Sequence, residues 1–485
     1  MLSSCDINSL VEITSRKTIK PSSPTPPHNR ILKLSLLDQI MPPTVYGTIL
    51  WFFPNHNASD FASKSSESTT PKSKRLQDSL SKALVQFYPM AGRVKSPALI
   101  ECNDEGAHFL EARVNCQLSD LLIQPNPESL NHLMAQNDPK TANEALGSTL
   151  LLVQISVFNC GGIVVSVSAS HKIADAASFL TFVRAWAAIN RDGVLELQLG
   201  TPEFTGGSLL PPRELSLPSS KVNLEIPTQS LVTKRFVFNV SKMVSLKEKI
   251  GSVVQAFIPS TSHLVLAIIL KCSIAASRQC KPESSIKPTV LSQMVSFRKR
   301  IVPEKSENVM GNWFWPIQVL FKENEIELHD LASKMRQGLT EFRNEKASRF
   351  KGEDGFLVIS ECLRERNDIN SANVYRTSSL CKLPLYEMDF GWGKPAWVTS
   401  LSVLKNIILL VDTKEKDGIE AWVTLDEQEM AIFESDQELL AFCSVNPSIC
   451  HSGLVLERCV IVRCVLYHPI VPLFIVVRKV KSLRY

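Results

Sequence analysis

Residues 168–179 read SASHKIADAASF, with His171 and Asp175 four residues apart where an apolar strand gives way to a helix. Upstream, LLVQISVF (151–158) and GIVVSVSAS (162–170) are strand-like runs separated by Asn159, Cys160 and Gly161, a hairpin signal. The second run alternates Ile163, Val165, Val167 and Ala169 with Val164, Ser166, Ser168 and Ser170, so one face is apolar and the other small and mostly hydroxylic. Downstream, Phe179, Phe182, Val183 and Trp186 recur at helical spacing, which makes Asp175 the N-cap of that helix. Strand parity continues the apolar face through His171. Partial burial there disfavours the imidazolium and leaves a neutral ring able to take a proton. Spacing alone leaves two readings open: a general base, or a structural histidine at a strand end.

The chain has 485 residues, beyond the roughly 250–300 at which one core stops growing, so two domains with a cleft between them are expected. Residues 20–30, KPSSPTPPHNR, form an extended leading arm, and ILKLSLLDQIM starts the ordered body. Leu76, Leu80 and Leu84 are spaced for a helix that ends before the turn at Pro89 and Gly92. Residues 191–223 lose periodicity and gather Gly, Pro and Ser, which reads as a long crossover. The boundaries expected are 1–190 for a first domain, 191–223 for the crossover and 224–450 for a second domain. That second domain has a strand at TKRFVFNV, a helix at HLVLAIILKCSIAAS and a final helix near 427–443. Residues 451–485 differ in character. Their longest uncharged stretch, CVLYHPIVPLFIVV, falls short of the roughly 18–20 apolar residues needed to span a bilayer and contains two prolines. It reads as a translated non-coding tail rather than an anchor.

Composition excludes several classes. A net charge of +5 with scattered lysines and arginines does not favour nucleic acid as a partner. The 12 cysteines form no C-x-x-C pair, and the N-terminus lacks the apolar run of a signal peptide, so a cytoplasmic protein with reduced thiols is expected. No second histidine supports a metal pair with His171 and Asp175, and no G-x-S-x-G elbow supplies a hydrolase nucleophile. Asp389, Phe390 and Gly391 spell a kinase triplet, but the glycine-rich loop, V-A-I-K and H-R-D elements are missing. Read locally, DFGWGKP (389–395) is a tight turn carrying an indole.

H-x-x-x-D between strand and helix, with D-F-G-W-G far downstream, resembles the plant BAHD acyl-CoA-dependent acyltransferases. The resemblance runs from about Val11 to Ile449 through LSLLDQ, FYPMAGR, ECNDEGAHFLEARV, SHKIADAASF, SFRKR, VMGNW and DFGWGKP in family order. SSPTP, SHKIAD and KRFVF agree best with the vinorine synthase-like alkaloid acetyltransferase branch. The resemblance implies a mixed α/β fold of two chloramphenicol acetyltransferase-like domains, each a mixed sheet flanked by helices, with a channel between them. It implies acyl-CoA, most simply acetyl-CoA, as co-substrate, with no permanently bound cofactor and no metal.

The same resemblance gives residue roles. His171 would deprotonate an alcohol or amine acceptor, with no acyl-enzyme formed. Asp175 would pair with Arg298 and fix the loop that aims His171. Asp389, Phe390, Gly391 and Gly393 would be structural, and the Trp392 indole N–H is a candidate for supporting the oxyanion. A monomeric O-acyltransferase acting on an alkaloid or terpenoid hydroxyl is the activity expected. The chain departs from the family pattern at Ala176 for glycine, Ser296 for asparagine, Leu380 for tryptophan, and TSHLVLAIIL without the usual arginine and glutamate. These departures motivate the alternative of an impaired member that only binds small molecules or proteins.

Overall fold

The hairpin around residues 159–161 seeds the first of two large sheets. In this computed structural model Leu151–Phe158 and Ile163–Ser170 pair antiparallel, as the sequence predicts. All eight residues of Ile163–Ser170 are buried, the serines included. The strand is central, flanked by Leu151–Phe158 and Tyr46–Phe53, and both of its faces are covered. Two hydroxyls on its second face find local partners: Ser168 Oγ lies 2.8 Å from Thr48 Oγ1, and Ser170 Oγ accepts from the Lys172 N–H, while the buried Ser166 Oγ has none among the described residues.

The structure describes residues 10–55, 71–135, 147–193, 200–213, 230–253, 259–281, 287–301, 308–367, 372–402 and 404–449. They belong to one compact unit, Met1–Ile449; the atypical tail, 451–485, lies outside the described residues. The first sheet runs Val11–Ile19, Ala107–Val114, Leu151–Phe158, Ile163–Ser170, Tyr46–Phe53, Trp397–Thr399. The second runs Phe314–Phe321, Thr289–Ser296, Asn373–Ser379, Ile407–Asp412, Gly418–Asp426, Leu231–Asn239, Cys443–Val445. Both are mixed. Ala107–Val114 and Leu151–Phe158 pair parallel in the first sheet, and Thr289–Ser296, Asn373–Ser379 and Ile407–Asp412 run parallel in the second.

Strand alternation feeds two cores. Along Gly418–Asp426, Ile419, Ala421, Val423 and Leu425 pack with the helices Thr261–Cys280 and Leu328–Glu341. Trp422 faces the other way and, with Leu409 and Val411, joins the core that holds Trp51, Phe179 and Trp186. The second sheet therefore has helices on one face and the first half of the chain on the other. The helix Thr261–Cys280 is long and apolar enough to cross a membrane by length and composition, but 67% of its most apolar window is buried inside the protein.

Two expectations need correction. The halves of the chain interlock rather than separating at 191–223. Trp397–Thr399, from the second half, is the edge strand of the first sheet against Tyr46–Phe53, and Leu36 and Leu37 pack into the second core. The region near 427–443 is two helices, Glu427–Phe433 and Gln437–Phe442, because Asp426 and Asp436 each cap a separate start. Within the crossover, 194–199 and 214–223 lie outside the described residues, while Glu203 bridges in parallel to Val309.

The edge strand Trp397–Thr399 is tied to the second sheet through a buried ion pair that lies within that sheet. Arg235 Nη1 donates to Glu420 Oε2 at 3.0 Å, with both side chains nearly inaccessible to solvent. Trp397 Nε1 donates to the same carboxylate at 3.2 Å, and the Arg235 guanidinium lies 5.5 Å from the Trp397 ring. Removing one partner of such a pair leaves a desolvated charge. Glu420→Ala is expected to lower stability by about 3–5 kcal/mol, whereas Leu357→Ser, on a side chain left exposed at the surface, changes it by under about 0.5 kcal/mol. Thermal melts followed by circular dichroism compare the two variants.

Candidate active site

His171 leaves the end of Ile163–Ser170, and its backbone N–H donates to the Val45 carbonyl at 2.8 Å. Four residues on, Asp175 caps the helix Ala176–Asp192 by accepting from the Ser178 N–H at 2.9 Å. The carboxylate does more than cap. Its Oδ1 also accepts from Arg298 Nη2 at 2.6 Å, and its Oδ2 accepts from the Trp313 N–H at 3.1 Å. Burial alone would push this carboxyl up; the Arg298 guanidinium and the three donors outweigh burial and hold it below the usual carboxylate range. Arg298 also donates to Ser178 Oγ and to the Val309 and Gly311 carbonyls, so one buried cation ties the 175 loop to the 309–313 segment. The expected pairing of Asp175 with Arg298 is present, and the aspartate points away from the imidazole toward that cation.

The imidazole is oriented by residues to which the sequence assigned no role. Asp38, fully buried in the short helix Leu36–Ile40, accepts at Oδ1 from both the backbone N–H and the Nδ2 amide of Asn312, each at 2.7 Å. Asn312 Nδ2 also donates to the His171 carbonyl at 2.6 Å. With both amide hydrogens committed, Asn312 Oδ1 is left facing His171 Nδ1 at 3.4 Å. An acceptor there selects the Nδ1–H tautomer and leaves the Nε2 lone pair free. Gly311 makes the approach feasible. Its φ of 111° is in the region glycine favours, and a Cβ there would sit 3.1 Å from Asp38 Oδ2. Lys172 points the other way and clamps the loop by donating to the Asp38, Gln39 and Pro97 carbonyls at 3.2, 2.7 and 3.1 Å; burial pulls its ammonium down to about 8.

Burial lowers the His171 pKa below the ordinary imidazole value, against smaller raising effects from the Asn312 hydrogen bond and the Asp175 charge. The ring is therefore neutral at pH 7. Phe314 meets it edge-on with ring centroids 6.2 Å apart, and His171, Phe314, Tyr46 and Gly47 all keep solvent-accessible surface. A neutral imidazole on a partly exposed residue, with Nδ1 facing Asn312 and the Nε2 lone pair left over, can accept a proton from an incoming nucleophile.

The D-F-G-W-G segment lies elsewhere. Asp389 Oδ1 accepts from the Gly391 and Gly393 N–H groups at 2.7 and 3.0 Å, closing the turn. Phe390 is buried against Trp186 and Phe53, and Trp392 stacks on Phe390 with Lys72 5.8 Å from its ring. Trp392 also packs against Phe53, six residues along the strand from the Gly47 beside His171. Six strand residues span about 20 Å. The structure thus does not bring the Trp392 indole to His171, and the expected oxyanion role for it is corrected to a docking role.

A second feature escaped the sequence. Arg336, Arg343 and Lys382 lie close enough to His263 to lower its pKa, after burial, and Arg343 feels Arg300 and Arg336 in the same way. His263 sits at the start of the helix Thr261–Cys280, capped by Ser260. Arg300 and Lys382 follow the carboxyl ends of Thr289–Ser296 and Asn373–Ser379, two strands of the parallel run. Cations gathered at a helix N-terminus make a receptive place for phosphate.

A family model described as the Transferase family matches residues 9–440. The limonoid 21-O-acetyltransferase of Melia azedarach is 34% identical over 90% of this chain and 99% of its own length. The stemmadenine O-acetyltransferase of Catharanthus roseus is 34% identical over 88% of this chain and 96% of its own. Among solved structures, vinorine synthase superposes with a TM-score of 0.72 at 31% identity, covering 90% of this chain and 99% of that one.

If neutral His171 is the working form, kcat/KM is full above its pKa and falls as pH drops through it, so the acid inflection is expected below the ordinary imidazole value of about 6.5. Asn312→Leu removes a contact that holds this pKa up and fixes the tautomer. The inflection should move lower still while kcat falls about 10–100-fold. Steady-state rates from pH 4.5 to 9 measure both effects.

Proposed function

The chain belongs to the BAHD acyltransferases of the Transferase family, and from that premise we propose that it moves an acetyl group from acetyl-CoA to a hydroxyl of a plant specialised metabolite of alkaloid or terpenoid type. The observation that carries this reading is the Asn312-held imidazole with its free Nε2. The relatives named as O-acetyltransferases support the acetyl donor and the hydroxyl acceptor.

In the proposed reaction the acceptor O–H bond breaks as its proton passes to His171 Nε2. The oxygen bonds to the thioester carbonyl carbon, and the tetrahedral intermediate collapses by breaking the C–S bond. The departing thiolate takes the proton from the His171 imidazolium, giving ester and free CoA thiol and restoring the neutral base. A positioned base contributes about 10²–10⁴-fold in rate, and holding both substrates in one ternary complex contributes further. Arg298 and Asp175 act through the loop and touch neither substrate. Arg300, Arg336, Arg343 and Lys382 are assigned to the phosphates of CoA, on the strength of their gathering at the capped helix start.

The departures from the family pattern do not favour a binding-only protein. Ser296 Oγ donates to the Trp313 carbonyl at 3.3 Å, Leu380 is buried in the core, and Ala176 takes the first position of a well-capped helix.

Purified protein with acetyl-CoA and a panel of alcohols should release free thiol in step with ester. His171→Ala should cut this rate at least about 100-fold. Equal thiol release by wild type and His171→Ala with every alcohol would contradict the assignment. Arg336→Met and Arg343→Met should raise KM for acetyl-CoA with kcat little changed, the pattern of lost uniform binding.

A further inference from the structure

We propose, resting on the acyl-transfer reading of His171, that Gly47 sets which alcohols reach Nε2, and that its missing side chain admits a hydroxyl carried on a hindered ring carbon. Gly47 lies inside the strand Tyr46–Phe53, paired with Ala169, and its φ is outside the left-handed region, so the backbone there does not require glycine. A glycine within a strand weakens it and commonly marks a close approach by something else. Here the approaching group is identifiable. A Cβ built on Gly47 would meet a single heavy atom within 4 Å, His171 Nε2 at 3.5 Å.

The nucleophile's oxygen must come within about 2.6–3.2 Å of that nitrogen to hand over its proton. The carbon bearing the oxygen, and the groups on that carbon, then occupy the shell just beyond. A methyl at position 47 would enter the same shell. The other neighbours of the ring leave this direction as the open one: Asn312 holds Nδ1, Phe314 stands edge-on 6.2 Å away, and the residue across from Gly47 is only Ala169. Tyr46, Gly47 and Thr48 keep solvent-accessible surface, whereas Ile49 to Phe53 are buried, so the unobstructed side is also the reachable one. Bare backbone on one side and an aromatic ring on the other suit a rigid apolar ring system lying along Phe314 with its carbinol carbon over Gly47. An unbranched primary alcohol needs neither.

The test uses the full chain with acetyl-CoA and two probe alcohols: borneol, a hindered bicyclic secondary alcohol, and geraniol, an unhindered primary one. Wild type, Gly47→Ala and His171→Ala are compared by thiol release and ester formation. The readout is the ratio of kcat/KM for borneol to that for geraniol, which does not depend on the fraction of enzyme folded. Gly47→Ala should lower that ratio by about 10–100-fold, the range that one methyl in a pocket commands. An unchanged ratio, or a wild type that acetylates geraniol and ignores borneol, would overturn the proposal. Thiol release by wild type no faster than by His171→Ala with both alcohols would instead bring down the acyl-transfer reading beneath it.

Discussion

The orientation of one amide governs the candidate site. Asn312 can point its carbonyl oxygen at His171 only because Asp38 and the His171 carbonyl take both of its side-chain hydrogens. Asp38 is a buried carboxyl whose pKa is raised by its burial, and it is compensated by donors from Ser35 and Asn312. Such a group is costly unless every lone pair is met. Here the cost is offset by hydrogen bonds that come from two distant parts of the chain, so folding cannot satisfy Asp38 without also building the seat of the imidazole. Stability and tautomer control share the same atoms.

Arg298 and Asp175 form the second half of this arrangement. The ion pair lies behind the histidine loop and is networked through Ser178, Trp313, Val309 and Gly311. Its contribution is geometric: it fixes where the strand Ile163–Ser170 ends and where the helix Ala176–Asp192 begins. The D-F-G-W-G turn does comparable work at the far end of the neighbouring strand, where Phe390 and Trp392 dock the second half of the chain onto Phe53 and Trp186. Three separated contacts, Asp175–Arg298, Asp38–Asn312 and Trp397–Glu420, tie the parts of the chain that carry the two sheets to one another.

Much of this was legible in the sequence because short-range physics writes it there. The hairpin followed from alternation and a glycine turn, the helix after Asp175 from apolar periodicity and a capping residue, and the lone position of His171 at a strand end from parity. The partners of His171 were not legible. Asn312 and Asp38 are 141 and 133 residues away from it, and although each lies in a stretch that carries the family resemblance, VMGNW and LSLLDQ, nothing local in either stretch says that it meets His171. The strand Trp397–Thr399 was missed for a related reason: three residues give no periodicity, and its sheet is decided by contacts with Tyr46–Phe53. Trp392 shows the opposite error, since a motif that stands out in sequence packs against Phe53, about 20 Å along the strand from the Gly47 that lies beside the histidine. Gly47 is silent in sequence, and its meaning appears only once Nε2 is seen beside it.

The tautomer of His171 can be observed directly by nitrogen-15 NMR of histidine-labelled protein at pH 7, with the signal assigned by its loss in His171→Ala. A protonated Nδ1 together with an unprotonated Nε2 is the predicted result. A proton on Nε2, or a fully charged ring at that pH, would contradict the account, because the nitrogen facing the open side would then have no lone pair to offer.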